Sequence, residues 1–317
     1  MRSENDGYLM RMITNKALLD VITDMLRGRF GKAGFYLNRM VKNKSLREFI
    51  TVMKRMRIGK AELKKGASAF IDEQNTQAHI DRLSRDGCTV LDHKLSQDKI
   101  DAIIRYSEQI GCYDLYRSAT EAIDPKNAPA VTHVAEYRRV DLVKYKPILE
   151  IVNDPGILKV VQEFLGARPT ISNINMWWSF GGRQQAKHAQ LFHRDIDDWK
   201  FCKLFFYLTD VTANSGPHVY VKTSSKSPAF RKPRRYSDSE IEDKFGKENV
   251  LEFIDTKGAA FIVDTYGFHK GLLPKTSDRL LLQAQYSLDP IGLEEYHPIK
   301  LESASHDPYI NRLLYNS

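Results

Sequence analysis

The sequence predicts an α+β fold with a mainly β core, on three observations. From Thr170 the apolar pattern changes from a helical to a strand period, with Asn173, Asn175 and Trp177 alternating against Ile174, Met176 and Trp178. The strand-like runs that follow (Lys203–Leu208, His218–Val221, Ala259–Val263 and Leu280–Leu288) are short and separated by turns rather than helices. Helical periodicity is concentrated upstream, in an N-terminal arm and in segments ending at Gly166. Together these features point to a double-stranded β-helix, a jelly roll of the cupin-like kind, with flanking helices and a helical N-terminal arm. The expected organisation is a basic helical arm over residues 1–75 and a barrel domain over 76–317, with an insert or lid at about 224–248.

Composition suits that reading. The 317 residues are 42% hydrophobic and 28% charged, as in an ordinary globular chain. Three cysteines, Cys88, Cys112 and Cys202, are few, odd in number and unpatterned, which argues for a reducing compartment and against a disulfide framework. No apolar run approaches the roughly 20 residues that span a bilayer, and the first residues lack the apolar centre of a signal peptide. A cytoplasmic protein is expected, with peripheral attachment to the inner face of the membrane as an option.

The net charge of +8 is unevenly placed. Residues 1–66 carry 16 Lys and Arg against 6 Asp and Glu, whereas the remainder carries 32 against 34. The positive charge therefore belongs to the arm, which hints at an anionic partner. Within it, Leu18, Leu19, Val21, Ile22, Met25 and Leu26 form one apolar face. A second face is made by Leu46, Phe49, Ile50, Met53 and Met56, with Arg47, Lys54, Arg55 and Arg57 around its other sides. Gly28, Gly31 and Gly34 are expected to separate the two helices. These helices either pack on the barrel or a partner subunit, or rest on an anionic membrane surface. Nucleic acid is not an expected partner, because aromatics are sparse there and no recognition motif is present.

Taken in order, residues 67–100 lead into the domain, with Ser96 as N-cap of a helix reaching about Ile110 and stopped by Gly111. Residues 113–145 are mixed and polar, contain Pro125 and Pro129, and are expected to form a loop or partial lid. Pro155 opens a helix to Leu165 that Gly166 ends. Within the insert, Phe230–Tyr236 is basic and Asp238–Lys247 is acidic and helical in pattern.

The chemistry centres on Leu191-Phe192-His193-Arg194-Asp195. On an extended segment residues two apart project to one side, so His193 and Asp195 present an imidazole and a carboxylate to one point. His269 stands 76 residues on, after the apolar run from Gly258, and makes two histidines and one carboxylate. That set occupies one face of a metal and leaves the other open, as in mononuclear non-haem iron(II) oxygenases. His188 and His218 are rivals from the same region. Ten residues beyond His269, Arg279 opens a further strand, where a guanidinium fork suits a carboxylate.

His193-x-Asp195, the strand Cys202–Asp210 with its Asn214-Ser215-Gly216-Pro217 turn, the Gly258–His269 segment and Arg279 resemble the phytanoyl-CoA dioxygenase family of iron(II)- and 2-oxoglutarate-dependent oxygenases. Asp86–Leu91 and Asn153–Gly166 resemble the family's upstream pieces, so the likeness covers roughly residues 80–290. It implies iron(II) held by His193, Asp195 and His269, with 2-oxoglutarate chelating the metal and pairing through its distal carboxylate with Arg279. Dioxygen would be the second co-substrate, succinate and carbon dioxide would be released, and an unactivated C–H bond would be hydroxylated. With Asp195 present, hydroxylation is favoured over halogenation. Two departures stand out: Thr223-Ser224-Ser225-Lys226 replaces the usual Gly-Ser-His-Lys, and Gly271 replaces the Ser commonly two residues after the distal His.

For the substrate the sequence offers Arg231, Arg234 and Arg235 in the insert. They fit a small or lipid-linked anionic molecule, with a sugar acid or glycolipid favoured. The alternatives are the same chemistry on an acyl or amino-acid-derived molecule, and a non-enzymatic cupin-like barrel that binds metal or serves as a scaffold.

Overall fold

The computed structural model describes residues 30–64, 66–116, 121–186, 188–230, 234–301 and 305–316. The apolar face at Leu18–Leu26 and the site candidate Arg231 lie outside them. A seven-stranded antiparallel sheet forms the body. Its order is β1 (Cys88–Val90), β8 (Ala260–Val263), β5 (Phe201–Tyr207), β10 (Arg279–Ser287), β4 (Thr170–Ser179), β3 (Val134–Tyr137) and β2 (Cys112–Asp114). Facing it is a three-stranded sheet of β7 (Val250–Phe253), β6 (His218–Val221) and β9 (His269–Gly271). These two sheets and the helices around them make the mainly β jelly roll that the strand pattern predicts.

Alternation sorts the large sheet into two faces. Ile174, Met176, Leu204, Phe206, Ile262, Leu280, Leu282 and Ala284 turn outward into the main core. That core is closed by the helices Gln97–Ser107, Lys146–Val152 and Pro155–Leu165. Asp154 caps the last of these, its carboxylate accepting from Gly156 and Ile157, and Gly166 ends it in the left-handed conformation at φ 73°. The opposite face carries Phe205, Tyr207, Phe261, Val263 and Leu281 in a second cluster. Mixed among them are Glu136, Asn175, Lys203, Arg279, Gln283 and Gln285, polar residues on an inward face.

The structure departs from the sequence expectations in three places. Residues 113–145 are not simply a loop: β2 and β3 lie there and extend the large sheet, Cys112 to Asp114 pairing with Tyr137 to Ala135. Gly31 and Gly34 lie inside a helix, Phe30–Met40, and the break before the next helix falls at residues 41–43. There the Asn43 side chain accepts from the Leu46 amide and starts the helix Lys44–Ile58.

That second helix is turned opposite to the packing expectation. Its inward residues are Arg47 and Thr51, while Leu46, Phe49, Val52, Met53 and Met56 are exposed. Arg47 wins the inward side because its guanidinium is fully provided for there. It donates to Asn38 and to the carbonyls of Asp198 and Trp199, and lies 4.6 Å from the Tyr266 ring centroid.

Candidate metal centre

Backbone pairing builds the centre. His193 and His269 form an isolated antiparallel bridge, exchanging two N–H···O bonds of 3.0 Å, and so stand side by side with ring centroids 4.3 Å apart. Two residues on, the Asp195 amide donates to the Thr265 carbonyl at 2.9 Å, which brings its carboxylate to the same side. One ligand atom from each of His193, Asp195 and His269 lies within 4.8 Å of the others.

Each imidazole is oriented by its own chain. Nδ1 of His193 lies 2.9 Å from the Leu191 carbonyl, and Nδ1 of His269 lies 3.0 Å from that of Gly267. A carbonyl can only accept, so the proton sits on Nδ1 and each Nε2 presents a bare lone pair. Those two nitrogens lie 3.6 and 3.3 Å from the Asp195 oxygens.

Charges are set for a cation. Burial, reinforced by His269, holds the His193 imidazole well below its ordinary pKa and therefore neutral at pH 7. Burial would raise Asp195, but the Lys203 ammonium and the two imidazoles outweigh it and hold the carboxyl well below the usual range. Lys203 comes from the inward face of β5, with Nζ 2.7 Å from one Asp195 oxygen and 3.4 Å from Asp197. These carboxylates more than offset burial and raise the Lys203 pKa. A neutral His193 imidazole and an ionised Asp195 carboxylate are forms that ligate metal.

Arg279 starts β10 and is 4% exposed. Its guanidinium donates to the Gly216 carbonyl and, at 3.3 Å, to the Ser179 hydroxyl, while Nε is buried without a partner. Burial pulls its pKa below the ordinary value, and no carboxylate among the described residues is paired with it. A Cβ on Gly271 would come within 3.2 Å of the guanidinium, so the missing serine leaves space beside the charge. His218 is not in the ligand cluster. Its ring stacks 5.6 Å from that of His269 and 4.8 Å from Phe205, with Nε2 buried and unpartnered. Burial, then His269 and Arg279, hold its pKa well below the usual value, which places it within the fields of both.

Beside the ligands runs a chain of amides. Gln283, opposite Asn175 in the register, donates to it at 3.2 Å; Asn175 donates to Glu136; and Gln285 keeps a buried, unpartnered Nε2. Lys203 and this row were not read from the sequence as site residues. The signal was a Lys inside the apolar Phe201–Tyr207 and two Gln alternating with apolar residues in β10.

The insert arginines divide. Arg234 is exposed and pairs with Glu240, whose carboxylate also accepts from the Ser237 amide as part of a capping box. Arg235 is half-buried next to Tyr236, whose amide donates to the Phe192 carbonyl, and its charge acts on His193. His188 stacks 4.4 Å from Tyr116 and takes no part in the cluster.

No protein-family model matches the chain, and no curated protein matches it. Solved structures do. The non-heme alpha ketoglutarate dependent carbocyclase SnoK from nogalamycin biosynthesis matches with a TM-score of 0.50 at 14% identity, over 70% of this chain and 87% of that one. HygX from Streptomyces hygroscopicus, solved with nickel, 2-oxoglutarate and hygromycin B, gives 0.47 at 16% identity over 73% and 93%. EctD from S. alaskensis gives 0.49 at 17% identity over 75% and 86%. At these identities the likeness is one of fold, and it is the match at 0.50 that supports the jelly roll.

Proposed function

We propose that this chain is an iron(II)- and 2-oxoglutarate-dependent oxygenase of the phytanoyl-CoA dioxygenase branch that hydroxylates a small, polar, anionic molecule, with a sugar acid favoured. One observation carries the reading. Two buried imidazole nitrogens and an ionised carboxylate converge on one point, in the same barrel as a buried guanidinium that has no acid partner among the described residues. The donor set fits iron(II), with three ligands on one face, and Arg279 fits the distal carboxylate of a 2-oxoacid.

Bound there, the metal would supply the activation of dioxygen needed to attack an unactivated C–H bond. The residues of the chain do the placing. His193 and His269 offer Nε2 because Leu191 and Gly267 hold Nδ1–H. Lys203 occupies one oxygen of Asp195, which leaves the other for the metal. Arg279 receives the co-substrate carboxylate and His218 supplies a further hydrogen-bonding nitrogen beside it. Phe205, Phe253 and Phe261 surround that imidazole and keep water from it. For the primary substrate, the Glu136–Asn175–Gln283 chain supports hydroxyl-bearing molecules and Arg235 supports an anionic group.

The test is metal binding and turnover together. The purified protein should take up about one iron(II) per chain and form succinate from 2-oxoglutarate in an iron-dependent way. His193→Ala, Asp195→Ala and His269→Ala should each abolish both. Succinate formation by metal-stripped Asp195→Ala would refute the reading, and stoichiometric metal binding with no succinate under any condition would favour a non-enzymatic barrel.

A further inference from the structure

We infer that the outer face of the helix Lys44–Ile58 docks on an anionic lipid bilayer surface. Among the described residues thirteen large hydrophobic side chains are exposed, and seven of them lie on this helix and its neighbour Phe30–Met40: Leu37, Met40, Leu46, Phe49, Val52, Met53 and Met56. Scattered exposed apolar residues need no explanation, but a contiguous stripe does. Phe49 is 62% exposed, Met53 49% and Met56 66%, and the three follow the i, i+4, i+7 line of a single face.

The inward side of the helix is polar, which is the reverse of an ordinary surface helix. Arg47 is bonded as described, Arg55 Nε donates to the Leu165 carbonyl at 2.6 Å, and Lys54 pairs with Asp289. The helix is thus fastened mainly by polar contacts, with Ile58 at its end packed on the main core, and Leu46, Phe49, Val52, Met53 and Met56 are left facing away from the barrel.

Charge selects the occupant. Residues 1–66 carry 16 Lys and Arg against 6 Asp and Glu, and beside the stripe Arg57 is exposed with no ion-pair partner among the described residues. Two copies meeting stripe to stripe would bring these cations together at a cost. An anionic lipid surface accepts both features at once: the apolar side chains enter the interface and the arm's cations meet headgroups. No helix among the described residues is long and apolar enough to cross a membrane, so the contact is one of surface. This inference stands independently of the oxygenase chemistry.

Co-sedimentation of the full chain with vesicles tests it. Phosphatidylcholine vesicles should leave the protein in the supernatant. Vesicles with about a third phosphatidylglycerol should pellet it at low salt and release most of it by about 0.5 M salt, where screening is strong. F49S/M53S/M56S changes only exposed side chains and should weaken binding at least about tenfold with the melting temperature unchanged. R57Q should weaken it about fivefold, the share of one surface cation. Absence of binding at low salt would overturn the inference, as would binding that F49S/M53S/M56S leaves intact. So would a wild-type dimer that the same three substitutions make monomeric, since the stripe would then be covered by a second copy.

Discussion

Replacing Arg279 by Met separates a structural role from a ligand role, because the two predict opposite effects on the ligand-free protein. The guanidinium is buried and, among the described residues, makes bonds to Gly216 and Ser179 only and leaves Nε unpaired. Losing two such charge-assisted bonds costs about 3–6 kcal/mol. Against this, an unpaired buried charge costs several kcal/mol to desolvate, a cost that Met does not carry. The depressed pKa gives the same sign: the fold disfavours the charged form, so the penalty is present at every pH below that pKa, including neutrality. Ligand-free Arg279→Met should therefore melt within about 3 °C of the wild type, or higher. Affinity for 2-oxoglutarate should respond differently. A charge-assisted bond is worth about 1.5–3 kcal/mol, which corresponds to about 10- to 150-fold weaker binding. Calorimetric titration of 2-oxoglutarate into the anaerobic iron(II)-loaded protein measures this, and Arg279→Lys should fall between the two because it keeps the charge without the fork. A melting point lowered by about 10 °C with affinity unchanged would refute the assignment and make Arg279 a structural cation.

Two further outcomes follow from buried groups near the site. Burial, then the neighbouring Asp289, pushes the Asp198 carboxyl up to about 7, while its Oδ2 accepts from the Leu288 and Asp289 amides at 2.7 and 3.0 Å. A raised acid pKa means stability is lost as pH climbs from the unfolded value to the folded one, so Asp198→Asn should gain melting temperature relative to wild type between about pH 4 and 7 and hold a constant difference above that, and a difference that stays constant from about pH 4 to 7 would contradict this. Gly267→Ala would set a Cβ against the phenol of Tyr220, which is fully buried, and overpacking of this kind costs about 1–3 kcal/mol. Because the Gly267 carbonyl holds His269 Nδ1, iron affinity should fall together with the melting temperature, and unchanged affinity would separate the two.

What could be read from the sequence depended on whether the information was local. His193 and Asp195 are two apart, and alternation alone brings them together. His269 was legible because an apolar strand must end at a turn, and a His at such an end is conspicuous. Arg279, Lys203 and Gln283 share another kind of signal: a polar group inside an apolar strand must be placed for a reason, since burial penalises it. β2 and β3 gave no such signal, being three and four residues long and set among prolines and polar residues. The strand state of β3 comes from pairing with β4 and that of β2 from pairing with β3, contacts made at sequence distances that periodicity does not register. The helix Lys44–Ile58 shows a further limit. Its spacing correctly fixes which residues share a face, but periodicity has no term for direction. Direction is decided by where Arg47 finds acceptors, and these are the carbonyls of Asp198 and Trp199, some 150 residues away in the chain. One satisfied guanidinium therefore determines that Phe49, Met53 and Met56 face outward, and with them what the arm can touch.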